Sequence, residues 1–152
     1  MLEALCTMGY YQDALNRMKL RYSAMIESPL TTLWEGWGIG SEGFGGGTYN
    51  HAWSGGPLTI LSQYIAGIET LEPAFRTFRV APHPAHLNFI RTQVPLSGGR
   101  RIVFEMDKSA HGGTMYLRVP EGTSAQVVLP AEFQRLSLIH ISEPTRPEPI
   151  SY

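Results

Sequence analysis

Apolar residues follow two different periods along the chain, and the change from one to the other falls near residue 70. In the first part they recur at the spacing of an α-helix, in three stretches. The apolar positions of these stretches are Leu2, Leu5 and Met8; Leu15, Met18, Tyr22 and Met25; and Leu58, Leu61, Ile65 and Ile68. Gly9 and Ser28-Pro29 end the first two stretches, and Pro57 begins the third. The short link between the first two helices predicts an antiparallel helical hairpin.

After Glu72-Pro73 the pattern alternates between apolar and polar residues, which is typical of β-strands. The alternating positions are Phe78 and Val80; Ile102, Phe104 and Met106; Met115, Leu117 and Val119; and Ala125, Val127 and Leu129. Turn residues separate these runs, for example Ser97-Gly98-Gly99 and Glu121-Gly122-Thr123. The sequence therefore predicts an α+β chain, with helices followed by an antiparallel sheet or sandwich.

The last segment departs from this pattern. Residues 136–152, LSLIHISEPTRPEPISY, resemble the translated frame of a transposase-type sequencing adapter, and the alternative is a proline-rich linker. We expect a non-native tail that buries no consistent face. The expected division is thus a helical part at 1–70, a β part at 71–135 and a tail at 136–152. At the other end, Met1 opens directly into a helical pattern, so we expect it to be an internal methionine of a longer chain, and no compartment is predicted.

Charge and cysteine content narrow the classes of partner. The formal net charge is −1, with acids and bases spread along the chain, so no basic patch favours nucleic acid or anionic lipid. A neutral polar ligand fits this balance better. Cys6 is the one cysteine, which excludes an internal disulfide and a CxxC motif. No apolar run in the sequence is long enough to cross a membrane.

The sequence around several short motifs does not support the functions that these motifs usually indicate. Gly38, Gly40 and Gly43 satisfy GxGxxG, but no βαβ pattern surrounds them, so dinucleotide binding is not predicted. Neither Ser41 nor Ser54 lies in a GxSxG nucleophile elbow. The histidines before the tail show no metal-binding spacing, and we expect neither a metal nor a cofactor; they are His51, His83, His86 and His111.

One cluster remains that is able to carry chemistry. TTLWEGW at 31–37 and YNHAWSGG at 49–56 bring a carboxylate, an imidazole and three indoles to one glycine-rich loop. Aromatic rings accept the C–H faces of sugars, while side chains such as Asn50 and His51 bind sugar hydroxyls. The alternatives are core packing for the tryptophans and a solvated loop acid for Glu35.

These two motifs, followed by LTILSQYIAGI, resemble the last helical hairpin of the α-L-rhamnosidases, inverting glycoside hydrolases with an (α/α)6 barrel. PAFRTFRVAPHP and LRVPEGTSAQVVLP are similar to the β-sandwich that follows the barrel in that family. The resemblance covers residues 1 to about 135. It departs from the family at Glu42 to Tyr49, where many members have a longer polar stretch and this chain is mostly glycine. That departure affects the expected substrate preference more than the class of chemistry.

The resemblance implies a role for each residue of the cluster. Glu35 becomes the general base that activates water, while His51 and Asn50 bind hydroxyls of a rhamnoside substrate. Trp34, Trp37 and Trp53 would line the apolar side of the sugar. The general acid would belong to an earlier hairpin, so the partners expected are a carbohydrate and the missing N-terminal part of the same chain, and this chain alone should be inactive. Two other interpretations stay open: a non-catalytic carbohydrate-binding β-module, and another six-hairpin glycosidase.

Overall fold

The computed structural model describes residues 1–40, 46–109 and 112–130. The expected tail at 136–152, together with Gly43 and His111, lies outside these residues. The chain separates into two compact units, Met1–Ile65 and Ala66–Tyr152, each of which is described by itself. The domain limits expected from the sequence, at residues 70 and 135, stay predictions. No helix in the described ranges has the length and apolar character needed to span a membrane.

The first two predicted helices are confirmed. Helix α1 spans Leu2–Thr7, and Gly9 follows it with a φ of +84°, a conformation that lets the chain leave a helix at little steric cost. Helix α2 spans Tyr11–Glu27 and ends at Ser28, whose extended backbone is the conformation favoured before proline. The buried positions of α2 lie on one face, as the spacing predicted; they are Ala14, Leu15, Met18 and Met25.

The third helical stretch differs from the prediction. A 3-10 turn at Ala52–Gly55 leads into a short helix α3 at Gly56–Ile60, and a π-helical turn continues it over Leu61–Ile65. The wider π turn advances each residue by a smaller angle than an α-helix does, so the expected stripe is interrupted. Leu58 is 67% exposed, whereas Ile65 is buried.

The predicted helix is also wrong at its end. Ile68 belongs to a strand, because Gly67 turns the chain with a φ of +69°. A Cβ at Gly67 would lie 1.9 Å from the carbonyl oxygen of Ala81, while the Gly67 carbonyl accepts a 2.9 Å hydrogen bond from the Ala81 amide. The backbone approach at this point thus requires glycine.

The second unit contains two three-stranded sheets. The first has the order β1-β2-β6, with β1 at Ile68–Thr70, β2 at Thr77–Val80 and β6 at Ser124–Val127. The second is a meander of β3 at Phe89–Pro95, β4 at Arg101–Ser109 and β5 at Gly112–Arg118. The α+β class is therefore confirmed, with strands β2, β4, β5 and β6 at predicted alternating runs. Strands β1 and β3 were not predicted.

The expectation of a purely antiparallel sheet is corrected by the first sheet. Strand β2 pairs antiparallel with β1 and parallel with β6, so this sheet is mixed. Hydropathy alternation does not distinguish the two directions, because both pleat with the same two-residue period. The alternation itself holds: Phe78, Ile102, Phe104 and Met106 are all at most 1% exposed.

Candidate functional site

Two loop segments of the first unit lie side by side and form the frame of the site. The Glu35 amide donates to the Thr48 carbonyl at 2.9 Å, and the His51 amide donates to the Leu33 carbonyl at 2.8 Å. The Thr32 hydroxyl donates to the Tyr49 carbonyl. Gly47 precedes this pairing with a φ of +134°, a region that L side chains rarely adopt. The backbone bonds bring residues far apart in sequence within reach of one another.

The Glu35 carboxylate is held by Thr48. Its Oε2 accepts a 2.9 Å hydrogen bond from the Thr48 amide and a 3.1 Å bond from the Thr48 hydroxyl. These donors favour the ionised form, so the Thr48 amide first, and then its hydroxyl, lower the pKa of Glu35; partial burial opposes them, and the His51 charge adds to them. The side chain remains 34% exposed. It is therefore an accessible carboxylate kept in its charged form.

His51 lies next to this carboxylate. Its Nδ1 is 3.2 Å from the Thr48 hydroxyl and 3.7 Å from Glu35 Oε2. The imidazole contacts the Trp53 ring in a tilted arrangement, with ring centroids 4.4 Å apart and an interplanar angle of 36°. Trp53 Nε1 donates to the Glu35 carbonyl oxygen at 3.0 Å. Trp53 is nevertheless 69% exposed, so much of its ring surface faces solvent. We call Glu35, Thr48, His51 and Trp53 the loop site.

Trp34 is placed differently. It is buried with Met25 and Ile39, its ring meets Tyr49 edge-on at 5.0 Å, and its amide donates to the Met25 sulfur at 3.4 Å. The Ser54 hydroxyl donates to its carbonyl. Within the described part of the chain its indole nitrogen has no hydrogen-bond partner. Trp34 thus packs beneath the loop, and its predicted contact with a sugar stays a prediction.

Trp37 lies apart from the loop site. The Trp37 ring contacts Tyr22 edge-on at 6.4 Å and carries the Arg21 guanidinium over its face at 4.9 Å, so it lies on α2. Asn50 is exposed on the loop between Tyr49 and His51. Of the predicted site residues, the structure brings Glu35, His51 and Trp53 together.

Thr48 was missed at the sequence level. A hydroxyl-bearing residue three positions before His51 is a weak signal, because threonine is common in loops and only the fold shows that it faces Glu35. No group of three His, Cys, Asp or Glu residues in the described ranges is arranged to hold a metal ion. The loop site is instead able to accept a proton at Glu35, bind hydroxyls at His51 and cover an apolar ring face with Trp53.

The chain shows clear similarity to known proteins. Residues 67–138 match the family model of the bacterial alpha-L-rhamnosidase C-terminal domain. A GH78 family rhamnosidase of Bacillus sp. GL1 is similar at 26% identity and a TM-score of 0.73, over 93% of this chain and 15% of that chain. The α-L-rhamnosidase from Dictyoglumus thermophilum is similar at 26% identity and a TM-score of 0.69, over 88% of this chain and 15% of that chain. No curated protein matches the sequence.

These findings confirm the resemblance to the α-L-rhamnosidases, which are glycoside hydrolases. The chain spans 15% of the length of each of the two rhamnosidases. Both structural similarities extend over more of this chain than the C-terminal domain match does.

Proposed function

We propose that this chain is part of an inverting α-L-rhamnosidase and supplies its general base, Glu35, because 93% of this chain is similar to a GH78 family rhamnosidase. The observation that carries the proposal is the pair of Thr48 hydrogen bonds that hold Glu35 ionised beside His51 and Trp53. A base must be deprotonated at working pH and must reach its water, and the ionised, partly exposed carboxylate of Glu35 meets both conditions.

The helices support a place in a larger helical domain, such as the last hairpin of an (α/α)6 barrel. An apolar groove of about 430 Å³ runs between α2 and α3. Its lining includes Met18, Tyr22, Ile26, Leu33, Leu58 and Leu61. Ile26 and Leu58 are strongly exposed, and side chains of this kind on adjacent helices usually pack against further helices. We propose that neighbouring hairpins of the same enzyme cover this groove.

In the proposed reaction, Glu35 takes a proton from the water that attacks the anomeric carbon. A separate carboxylic acid protonates the leaving oxygen from the other face, at roughly 6.5–9.5 Å between carboxyl groups in inverting enzymes. That acid would lie in another hairpin of the enzyme. His51 and Asn50 would bind sugar hydroxyls, and Trp53 would cover the C–H face of a 6-deoxy sugar. Trp34 and Trp37 are proposed to support the apolar side of the sugar-binding site.

The decisive experiment replaces Glu35 with Gln in the longer rhamnosidase proposed to contain this chain. Glutamine keeps the shape but does not accept the proton, so kcat on an aryl α-L-rhamnoside should fall by roughly 10²–10⁴-fold, while substrate binding changes much less. Glu69→Gln, the same exchange at an exposed strand position of the second unit, is the matched control and should leave kcat unchanged. Near-wild-type turnover by Glu35→Gln would contradict the proposal.

The same proposal predicts that the 152-residue chain alone does not hydrolyse rhamnosides, since the proposed general acid would lie in another hairpin of the enzyme. Release of the aryl group by the purified chain above the rate of Glu35→Gln would show that a second carboxylate is present after all.

The second candidate is a carbohydrate-binding module, and the exposed Trp53 ring beside His51 is the observation that favours it. In that case Glu35→Gln would lose neither sugar binding nor turnover, whereas Trp53→Ala would weaken the binding of L-rhamnose. Another six-hairpin glycosidase would retain the effect of Glu35→Gln but act on a different α-linked aryl glycoside.

A further inference from the structure

The Thr48 hydroxyl lies between the two functional groups of the loop site. Its Oγ1 is 3.1 Å from Glu35 Oε2 and 3.2 Å from His51 Nδ1. A hydroxyl has one proton to donate and lone pairs with which to accept. When it bonds both neighbours, it therefore donates to one of them and accepts from the other. The direction determines which nitrogen of His51 carries the ring proton.

The chemistry of the two neighbours decides the direction. An ionised carboxylate is a stronger acceptor than a neutral imidazole nitrogen, so the hydroxyl proton goes to Glu35. The Thr48 oxygen then presents a lone pair to His51 Nδ1, and Glu35 Oε2 lies 3.7 Å from the same nitrogen. Both oxygens that face Nδ1 are acceptors, and this arrangement favours a proton on Nδ1.

We propose that Thr48 is a positioning residue that holds neutral His51 in the Nδ1–H tautomer, so that Nε2 presents a lone pair to a hydroxyl of the sugar. The inference rests on the proposed function for the identity of the ligand, while the tautomer follows from the loop site alone. His51 would thus accept a hydrogen bond from a sugar hydroxyl.

The first test uses the 152-residue chain itself, labelled with ¹⁵N at histidine and ¹³C at glutamate. At a pH where the ¹⁵N shifts show that the His51 ring is neutral, they should also show the Nδ1–H form. Thr48→Val keeps the backbone amide and the side-chain shape but removes the hydroxyl, so the ring should shift towards the Nε2–H form that free histidine prefers. Thr48→Ser should restore the wild-type shifts, and His86 is the internal control.

Glu35 gives a second readout in the same samples. Losing the hydroxyl donor should raise its ¹³C titration midpoint in Thr48→Val, by less than the whole lowering because the amide of residue 48 remains. Thr48→Ser should return it to the wild-type value. Among the described residues, His51 is the ionisable group whose charge acts on Glu35, so the titration of His51 is measured in the same samples. An Nε2–H ring in the wild type, unchanged shifts in Thr48→Val, or a Thr48→Ser variant that behaves like Thr48→Val would overturn the proposal.

The longer enzyme separates this inference from the proposed function. Thr48→Val should raise KM several-fold and move the acidic limb of the kcat profile to higher pH, because the base is then protonated at a higher pH. Thr48→Ser should be close to wild type in both. If Glu35→Gln is fully active while the NMR result holds, the function is wrong and the tautomer assignment stands. If Glu35→Gln is inactive and Thr48→Val leaves the tautomer unchanged, the tautomer assignment is wrong and the proposed function stands.

Discussion

Different kinds of hydrogen bond stabilise the sheets of the second unit and the loop site of the first unit. In the second unit, ladders of backbone hydrogen bonds set the positions of the strands, and Phe78 and Phe104 are fully buried. In the first unit, the loop site is held by a few individual bonds between residues 32–35 and 48–54, many of them to side chains. The sheets gain stability from repetition, whereas the loop depends on particular donors at particular places.

This contrast indicates where substitutions will act. When one residue of a strand is substituted, the remaining hydrogen bonds of the ladder keep the strand in place. When one contact of the loop site is lost, the position of a functional side chain changes. The tryptophans make the two responses separable, because all three lie in the first unit at positions 34, 37 and 53. Tryptophan fluorescence therefore reports on the first unit, and amide exchange of the strands reports on the second.

The largest effect is expected for Phe104→Ala. Phe104 is 0% exposed on strand β4, so its truncation should lower the free energy of unfolding of the second unit by about 3–5 kcal/mol. Phe89→Ala, on the neighbouring strand and 63% exposed, is the matched control and should cost far less. Strand amide exchange under native conditions measures both. Equal losses would show that burial does not distinguish the two positions.

A smaller but sharp effect is expected for Gly67→Ala. Its Cβ would clash with the Ala81 carbonyl oxygen. This backbone oxygen is unable to move away without breaking the hydrogen bond that the Ala81 amide donates to the carbonyl of residue 67. Gly98→Ala has a nearly identical φ of +72° and meets no described atom within 4 Å, so it measures the strain of the backbone conformation alone, about 1 kcal/mol. We expect Gly67→Ala to lower the free energy of unfolding by about 2 kcal/mol more than Gly98→Ala does, as measured by urea unfolding. Similar values for the two variants would rule out the clash.

The smallest effect is expected for Gly47→Ala in the loop. Its Cβ would lie 2.8 Å from Ile39 Cδ1, the movable end of a side chain, and 3.6 Å from Glu35 Oε2. Gly46→Ala, with a positive φ and no described atom within 4 Å, is the control. The expected difference in stability is about 1 kcal/mol, seen in tryptophan fluorescence unfolding. Strand exchange should not change, and a change there would mean that the units do not respond separately.

The sequence predicted most of the regular elements but only part of their arrangement. The stripe of α2 and the alternation of β4 are strong periodic signals, because each element buries one face. Helix α3 was predicted too long, since local pattern does not reveal a π turn or the close approach at Gly67. Strand β3 was missed although Ile90, Thr92 and Val94 alternate with longer polar residues.

The candidate site was predicted by residue type better than by geometry. Glu35, His51 and Trp53 were expected together and are found together. Trp34 and Trp37 look the same as Trp53 in sequence, yet one packs in the core and one lies on α2, because partners distant in sequence decide burial. Thr48 was missed for the same reason, because only the fold places its amide and its hydroxyl within hydrogen-bonding distance of Glu35.

The parallel pairing of β2 with β6 has a consequence for the order of folding. Thr77 pairs with Ser124, and the entire β3–β5 meander lies between the two strands in the chain. The meander closes short loops and is able to form early, while the β2–β6 ladder has to wait for a long loop to close. During synthesis β2 leaves the ribosome well before β6, and its second edge stays open until β6 arrives. We therefore expect β1 and β2 to gain full exchange protection last, in the same kinetic phase as β6.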